Sequence, residues 1–397
     1  MANVGEGEGN GARARELEPI ANSRTFLLHM LAFVLPAITV SFWLTGPHEV
    51  RATWLWLASL IVLYGFDRIA PVERRQPRED GPSWPYLLQV YVLCAIQLVN
   101  HALLISTAAQ LRFDTAENVV QTLVMFAVTV ILAGTNAAYS GIAVAHELIH
   151  RRNSLEYSLG RVLLGCVLYE HYATEHIRGH HPNVGTARDP VTAHFGETNW
   201  AFVRRTVPAQ FASAWHLECA RLNHSARPLS GPGWLRHRVV QGLIAQALLL
   251  LGIACLFGVI PLVFFVAQAL SSILMLELVN YVEHWGLTRA GKRVLPEDSW
   301  DTENAFTLYT LVGLSRHADH HAQASRPYQK LRHYTETAKL PLGYYSTLMK
   351  ALLRNGHYRE LATDELRRRR LGPFRNQRSP EDAVIQQPII GTSSVVA

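Results

Sequence analysis

The sequence predicts an all-α protein, a six-helix integral membrane bundle with a helical cap on one side, and three observations carry that prediction. Hydrophobic residues make up 49% of the 397 and the mean hydropathy is +0.07, more apolar than two soluble domains of this length. Six long apolar runs follow one another along the chain. Arginines gather at alternate ends of those runs.

The runs cover residues 25–45, 52–69, 86–109, 119–144, 239–257 and 260–284. A spanning helix needs roughly 17 to 25 mostly apolar residues, which all six supply, the second only because it extends from Phe66 through Ile69. Buried helices of a soluble protein would show apolar stretches of roughly 10 to 14 residues instead. The first 24 residues are polar and rich in Gly and Glu, with no cleavage-site pattern, and are expected to form a disordered tail. A second such tail is expected at 376–397, leaving one membrane-bound domain over 25–375.

Orientation follows from the basic residues. Arg13, Arg15 and Arg24 precede the first run; Arg68, Arg74, Arg75 and Arg78 lie between the second and third; Arg151 and Arg152 follow the fourth; Arg367 to Arg370 follow the sixth. Only Arg112 falls on 110–118, and no basic residue lies near Gly258. The excess of positive charge on the inner side places both termini, the 67–85 loop and the 146–236 region in the cytoplasm. These arginines account for the net charge of +6, so no nucleic-acid partner is implied. Cys94, Cys166, Cys219 and Cys255 are isolated and form no C-x-x-C pair, hence neither a disulfide framework nor a fused iron–sulfur module.

Ten of the nineteen histidines fall at or just beyond the ends of the fourth and sixth runs. They read H-E-L-I-H from His146 to His150, E-H-I-R-G-H-H from Glu175 to His181 with His171 just before it, N-Y-V-E-H-W-G-L around His284, and R-H-A-D-H-H from Arg316 to His321. Neutral imidazole is a common ligand for first-row metals, so this concentration points to a metal site, while the nine scattered histidines read as structural. His146 and His150 are one helical turn apart on one face; His176 and His180, and His317 and His321, repeat that spacing, and adjacent histidines point about 100° apart and can serve different metals. H-E-x-x-H alone resembles a zinc protease helix, but a zinc site takes only three or four protein ligands. Nine or ten nitrogens suffice for two metals with open positions, and the imidazole-rich set suits iron and oxygen chemistry. Glu147, Glu175, Glu283 and Asp319 stand close to clustered histidines and are candidates to accept their ring N–H groups. Glu277 and Asn280, inside the sixth run, mark either a functional cavity or a helix-to-helix hydrogen bond.

These four boxes, with A-R-D-P from Ala187, S-W-D-T-E-N from Ser299, R-P-Y-Q from Arg326 and L-P-L-G-Y from Leu340, resemble the membrane-bound histidine-box di-iron enzymes, and within them the alkane hydroxylase (alkane 1-monooxygenase) branch of the fatty acid desaturase superfamily. The resemblance runs from about Gly65 to Tyr345. It implies two iron ions held by His146, His150, His176, His180, His181, His284, His317, His320 and His321, with Glu147, His171, Glu175, Asp189, Glu283 and Asp319 around them. It also implies O₂ as co-substrate, a hydrophobic small molecule hydroxylated at a terminal C–H bond to a primary alcohol, and electrons from rubredoxin or a ferredoxin-type carrier with its reductase. The expected location is a bacterial inner membrane with the iron site on the cytoplasmic face. Ile149 and Arg151 stand where that branch usually has Gly and Lys, and a basic stretch, 360–370, replaces its usual ending. Aromatic methyl hydroxylation, acyl desaturation and decarboxylation of a fatty acid to a terminal alkene are the related reactions that share similar boxes.

Overall fold

A computed structural model describes residues 22–223 and 232–375; most of the expected N-terminal tail and all of the C-terminal one lie outside the described residues. The all-α prediction is met: among the described residues there is no strand, only isolated bridges pairing Val72 with Asn304 and Asp301 with Lys339. Among the described residues six helices are long and apolar enough to cross a membrane: α1 Ser23–Thr45, α2 Val50–Ile69, α3 Trp84–Ala108, α4 Ala116–Ile149, then α8 Arg238–Phe257 and α9 Val259–His284. Between and after them lie α5 Ser154–Cys166, the short broken helix α6 over 172–183, α7 Asn199–Arg221, α10 Ala305–Thr310, α11 His317–Ala322, α12 Tyr344–Leu353 and α13 Asn355–Arg369.

The spans start and stop where local chemistry directs. Thr115 caps α4, its hydroxyl accepting from the Asn118 amide at 3.1 Å, and Gly258, at φ +98°, is the single residue on which the chain reverses between α8 and α9. The fourth span runs five residues beyond its expected end and so carries His146 on the spanning helix itself. Two π-helical turns, Thr129–Ala133 and Ala137–Ile142, interrupt it.

Lipid-facing sides are apolar, with Ile61, Leu248, Leu256 and Leu270 exposed, whereas polar side chains such as Gln97, Asn136 and Ser272 are buried inside the bundle. Gln97 of α3 and Asn136 of α4 exchange amide hydrogen bonds at 3.0 and 3.3 Å, and Ser272 of α9 donates to the Gln268 carbonyl at 2.7 Å with the Gly134 carbonyl of α4 3.2 Å away.

The segments beyond the even-numbered crossings join into one layer. The Glu73 amide donates to the Glu303 carbonyl at 2.7 Å and Arg316 donates to the Arg75 carbonyl at 2.6 Å, tying the loop after α2 to the segment around α11. The Gly286 amide donates to the Ala193 carbonyl at 2.9 Å and the Arg289 amide to the Gly185 carbonyl at 2.8 Å, closing the loop after α6 onto the chain leaving α9.

Gly134 is where α4 meets α9 most tightly: a Cβ there would lie 2.4 Å from Ser271 Oγ and 2.6 Å from Ser271 Cβ, while one at Gly165 would meet nothing within 4 Å. Gly134→Val should therefore lower stability by about 1 to 3 kcal/mol through overpacking, seen as a lower Tm in detergent, whereas Gly165→Ala should leave Tm unchanged or slightly raised.

Candidate metal centre

The four histidine boxes meet at one place. His146 and His150 come from the last turn of α4, His284 is the final residue of α9, His176, His180 and His181 lie on α6, and the other three on α11. The ligand atoms form two sets, each within 4.8 Å of one another: five from His146, His150, His176, His181 and His320, and four from His180, His284, His317 and His321. The sets abut, the rings of His181 and His321 stacking at 4.4 Å between centroids.

One grouping departs from helical spacing. His176 and His180, expected on one face, go to different sets, and His176 joins His181 instead, their Nε2 atoms 3.0 Å apart. The cause is that His176–His180 is a π-helical turn, in which i and i+5 rather than i and i+4 come into line. His146 with His150, and His317 with His321, keep the expected pairing.

In both sets Nε2 atoms face one another. They approach to 3.1 Å between His181 and His320, 3.2 Å between His180 and His321 and 3.3 Å between His284 and His317. Nε2 of His146 and of His150 is buried with no hydrogen-bond partner. Burial, reinforced by neighbouring imidazoles, holds His150, His176, His181, His317, His320 and His321 well below the usual histidine range, so these rings are neutral and their lone pairs free. Converging, desolvated lone pairs without donors are unfavourable unless a cation lies between them. This donor set fits metal ions and suits iron among them.

Of the carboxylates expected around the site, Asp189 sits behind a ring: its oxygens lie 3.0 and 3.1 Å from His180 Nδ1, and it is itself held by the Thr192 hydroxyl at 2.6 Å and the Val191 amide at 3.0 Å. Glu283 accepts from the Tyr344 hydroxyl at 2.7 Å, with its other oxygen 3.3 Å from His317 Nε2. The rest turn elsewhere. Glu147 pairs with Arg151, and Asp319 takes Arg326 at 2.7 Å, the Tyr334 hydroxyl at 3.0 Å and the Arg332 amide at 2.8 Å. Among the described residues Glu175 has one hydrogen-bond partner, Ser213 at 3.4 Å, and burial lifts its carboxyl well above the usual range. His171 belongs to neither set; its ring packs on Tyr169 and Phe211, and burial lowers it to about 4.

Three further supports hold the site, of which sequence reading singles out only Glu277, with Asn280. Asp301, in the S-W-D-T-E-N stretch, accepts the Ala318 amide at 2.8 Å and so anchors the start of α11. Tyr344 reaches Glu283 across 61 residues. Buried Glu277 accepts from Tyr169 at 3.0 Å, Gln210 at 2.8 Å and Asn280 at 3.3 Å, locking α9 to the cap.

Below the centre lies a narrow cavity between α4 and α9, lined by Ala138, Tyr139, Ile142, Ala143, Leu276, Val279 and Asn280 and reaching His146, Glu283 and His317 at one end. Its walls are mainly apolar, and on α4 its lining residues run from Ala138 to His146.

Residues 121–351 match the family model described as fatty acid desaturase. The chain is 40% identical over 226 residues to alkane 1-monooxygenase 1 of Pseudomonas aeruginosa, a match covering 55% of this chain and 58% of that one. It is 32% identical over 333 residues to alkane 1-monooxygenase 2 of the same species, covering 79% and 85%. It is 36% identical over 233 residues to alkane 1-monooxygenase of Acinetobacter baylyi, covering 56% of each. Thus the matched stretch spans a little over half of two of these relatives and most of the third.

Because Asp189 fixes the tautomer and direction of His180, Asp189→Ala should weaken metal binding roughly 10- to 100-fold, measured by competition with a chelator, while Glu147→Ala should change it far less.

Proposed function

As this chain belongs to the alkane hydroxylase branch of the fatty acid desaturase superfamily, we propose that it is a membrane monooxygenase that converts a terminal methyl group of an alkane or alkyl chain into a primary alcohol. The observation that carries the reading is an apolar cavity ending at two neighbouring sets of inward-facing imidazoles. One oxygen atom of O₂ enters the C–H bond, and the other leaves as water with two electrons and two protons.

The five-histidine and four-histidine sets would each hold one iron, nine imidazoles in all. When bound, the ions supply the reductive activation of O₂. What the chain itself does is hold, orient and exclude. Asp189 keeps the proton of His180 on Nδ1 and so turns Nε2 toward the centre. The cavity walls bury methylenes at about 0.8 kcal/mol each and keep water from the reacting end. Such burial is without direction, so the closed shape between α4 and α9 must present the chain end.

Electrons come from a separate carrier, rubredoxin or a ferredoxin-type protein with its reductase; the absence of any C-x-x-C pair among the four cysteines supports a donor outside this stretch of chain. The location we read is a bacterial inner membrane, and the arginine asymmetry supports an orientation with the site and both termini on the cytoplasmic side.

Membranes carrying the protein, supplied with a reduced carrier, O₂ and n-octane, should form 1-octanol, and the purified protein should hold about two irons per chain. A terminal alkene from a fatty acid with no 1-octanol would assign a different oxidation, and one zinc with proteolysis would reject the oxygenase reading. His146→Ala or His317→Ala should abolish turnover while leaving a membrane-inserted chain, since neither side chain supports a span. Ala138→Phe, filling the cavity far from the imidazoles, should shift the preferred substrate toward shorter chains, measured as the ratio of product from n-octane and n-hexadecane.

A further inference from the structure

A polar cavity, separate from the one between α4 and α9, lies where the first turns of α1 meet the loop after α2 and the R-P-Y-Q stretch. His29, Arg75, Gln76, Tyr309, Arg316 and Gln329 line it; none of the nine clustered imidazoles does, and no carboxylate does. Its polar groups are held out of water: Arg316 is 7% exposed, Gln329 8% and His29 3%. Both amide atoms of Gln329 and Nδ1 of His29 are buried without a hydrogen-bond partner. Buried polar atoms in that condition are costly, which points to a guest that pairs with them.

Arg316 decides the sign of that guest. Its guanidinium donates to the Arg75 carbonyl at 2.6 Å and to the Leu331 carbonyl, both of them uncharged. The acids that its charge reaches are Glu73, Asp301 and Asp319, and each is engaged by a different cation: Arg75, Lys339 at 3.5 Å and Arg326 at 2.7 Å. Three carboxylates facing four cations leave one positive charge in excess. Among the described residues that excess falls on Arg316, which is in ion-pair contact with none of them. A buried cation without a direct partner is unfavourable, and an anion in the adjoining cavity offsets it.

We propose that this cavity is a binding site for one monovalent anion of chloride size, received by Arg316 and the Gln329 amide. Size and donors agree. The space measures about 20 Å³, which suits a single-atom ion and not a phosphate group. The other polar walls are already committed: Tyr309 donates to Glu73 at 3.2 Å, Arg75 forks onto the same carboxylate, and Gln76 exchanges hydrogen bonds with the His333 backbone at 2.8 and 3.1 Å. Arg316 gives the two carbonyls only part of its five N–H groups, and Gln329 Nε2 is uncommitted. A water molecule would serve the amide but leave the charge unmet; an anion meets both. Because Arg316 ties the loop after α2 to Leu331 and directly precedes His317, a bound anion would steady the approach to α11. The proposal stands whether or not the histidine sets hold iron.

The test uses the full chain purified in detergent at constant ionic strength, with chloride exchanged for gluconate, an anion too large for the cavity, and Tm read across the series. The wild type should gain about 2 to 4 °C for each tenfold rise in chloride beyond half-saturation, and bromide should act as chloride does. Gln329→Leu removes the amide donor and should move the chloride dependence to roughly tenfold higher concentration. Gln329→Glu supplies a carboxylate beside Arg316 and should make Tm independent of chloride. Equal Tm of the wild type in chloride and gluconate would overturn the proposal and leave the cavity to water. A chloride dependence that persists unchanged in Gln329→Glu would overturn it too, by placing the anion elsewhere. Should both variants fail to fold, equilibrium binding of ³⁶Cl to the wild type decides: saturable uptake displaced by bromide and not by gluconate supports the site, and its absence overturns it.

Discussion

Nine imidazoles aimed at two neighbouring points are the constraint on which the rest of this molecule depends. Each has a side that must stay free of donors and a side that packing or a hydrogen bond must fix. Four separate stretches of chain deliver them, and none is positioned by its own helix alone. α11 is anchored where the Ala318 amide meets Asp301, and the chain leaving α9 is pinned by the Trp300 amide on the Glu283 carbonyl at 3.0 Å and the Trp300 indole on the Trp285 carbonyl at 2.9 Å. The cap is therefore a frame for ring orientation, and its buried polar atoms are spent on that task.

The bilayer solves the opposite problem. Within the spans polar side chains must find partners inside the protein, because lipid offers none. Gln97 and Asn136 meet that need as a pair across α3 and α4, and Ser272 meets it at the Gln268 carbonyl of its own helix. Glu277 meets it with three donors from three elements, Tyr169, Gln210 and Asn280, and so couples α9 to α7 and to the turn before α6. Asn280 is one of the cavity's few polar wall residues, which means the same network that joins cap to membrane also sets the shape of the cavity.

This division explains what could be read in the sequence. Spans were legible because length and apolarity are local properties, and helix ends moved by only a few residues. The boxes were legible because ligation demands residue type and spacing together. Their partition was not: His176 and His180 at i, i+4 looked like one pair, and a π-helical turn, which has no composition signature, sent them apart. The carboxylates were ambiguous for a similar reason. Sequence adjacency places Glu147, Asp319 and Glu283 beside ligands, but not on a particular side of a ring; Glu147 has Arg151 four residues on and takes it. Tyr344, Gln210 and Asp301 act across long separations that no local pattern records.

α4 and α9 each do two things without a loop in between. Along α9, Leu276, Val279, Asn280 and Glu283 fall at i, i+3, i+4 and i+7, one continuous face that lines the cavity and ends beside His284. Along α4, Ala138, Tyr139 and Ile142 line the cavity from within a π-helical turn, and His146 follows one turn later. A widened turn brings more residues onto one face than a regular helix would, at the cost of weaker local hydrogen bonding, which makes sense where a wall must be shaped and not merely packed. Since much of the cavity wall shares these two helices with His146 and His284, a change in how α4 crosses α9 at Gly134 moves that wall and those two imidazoles together.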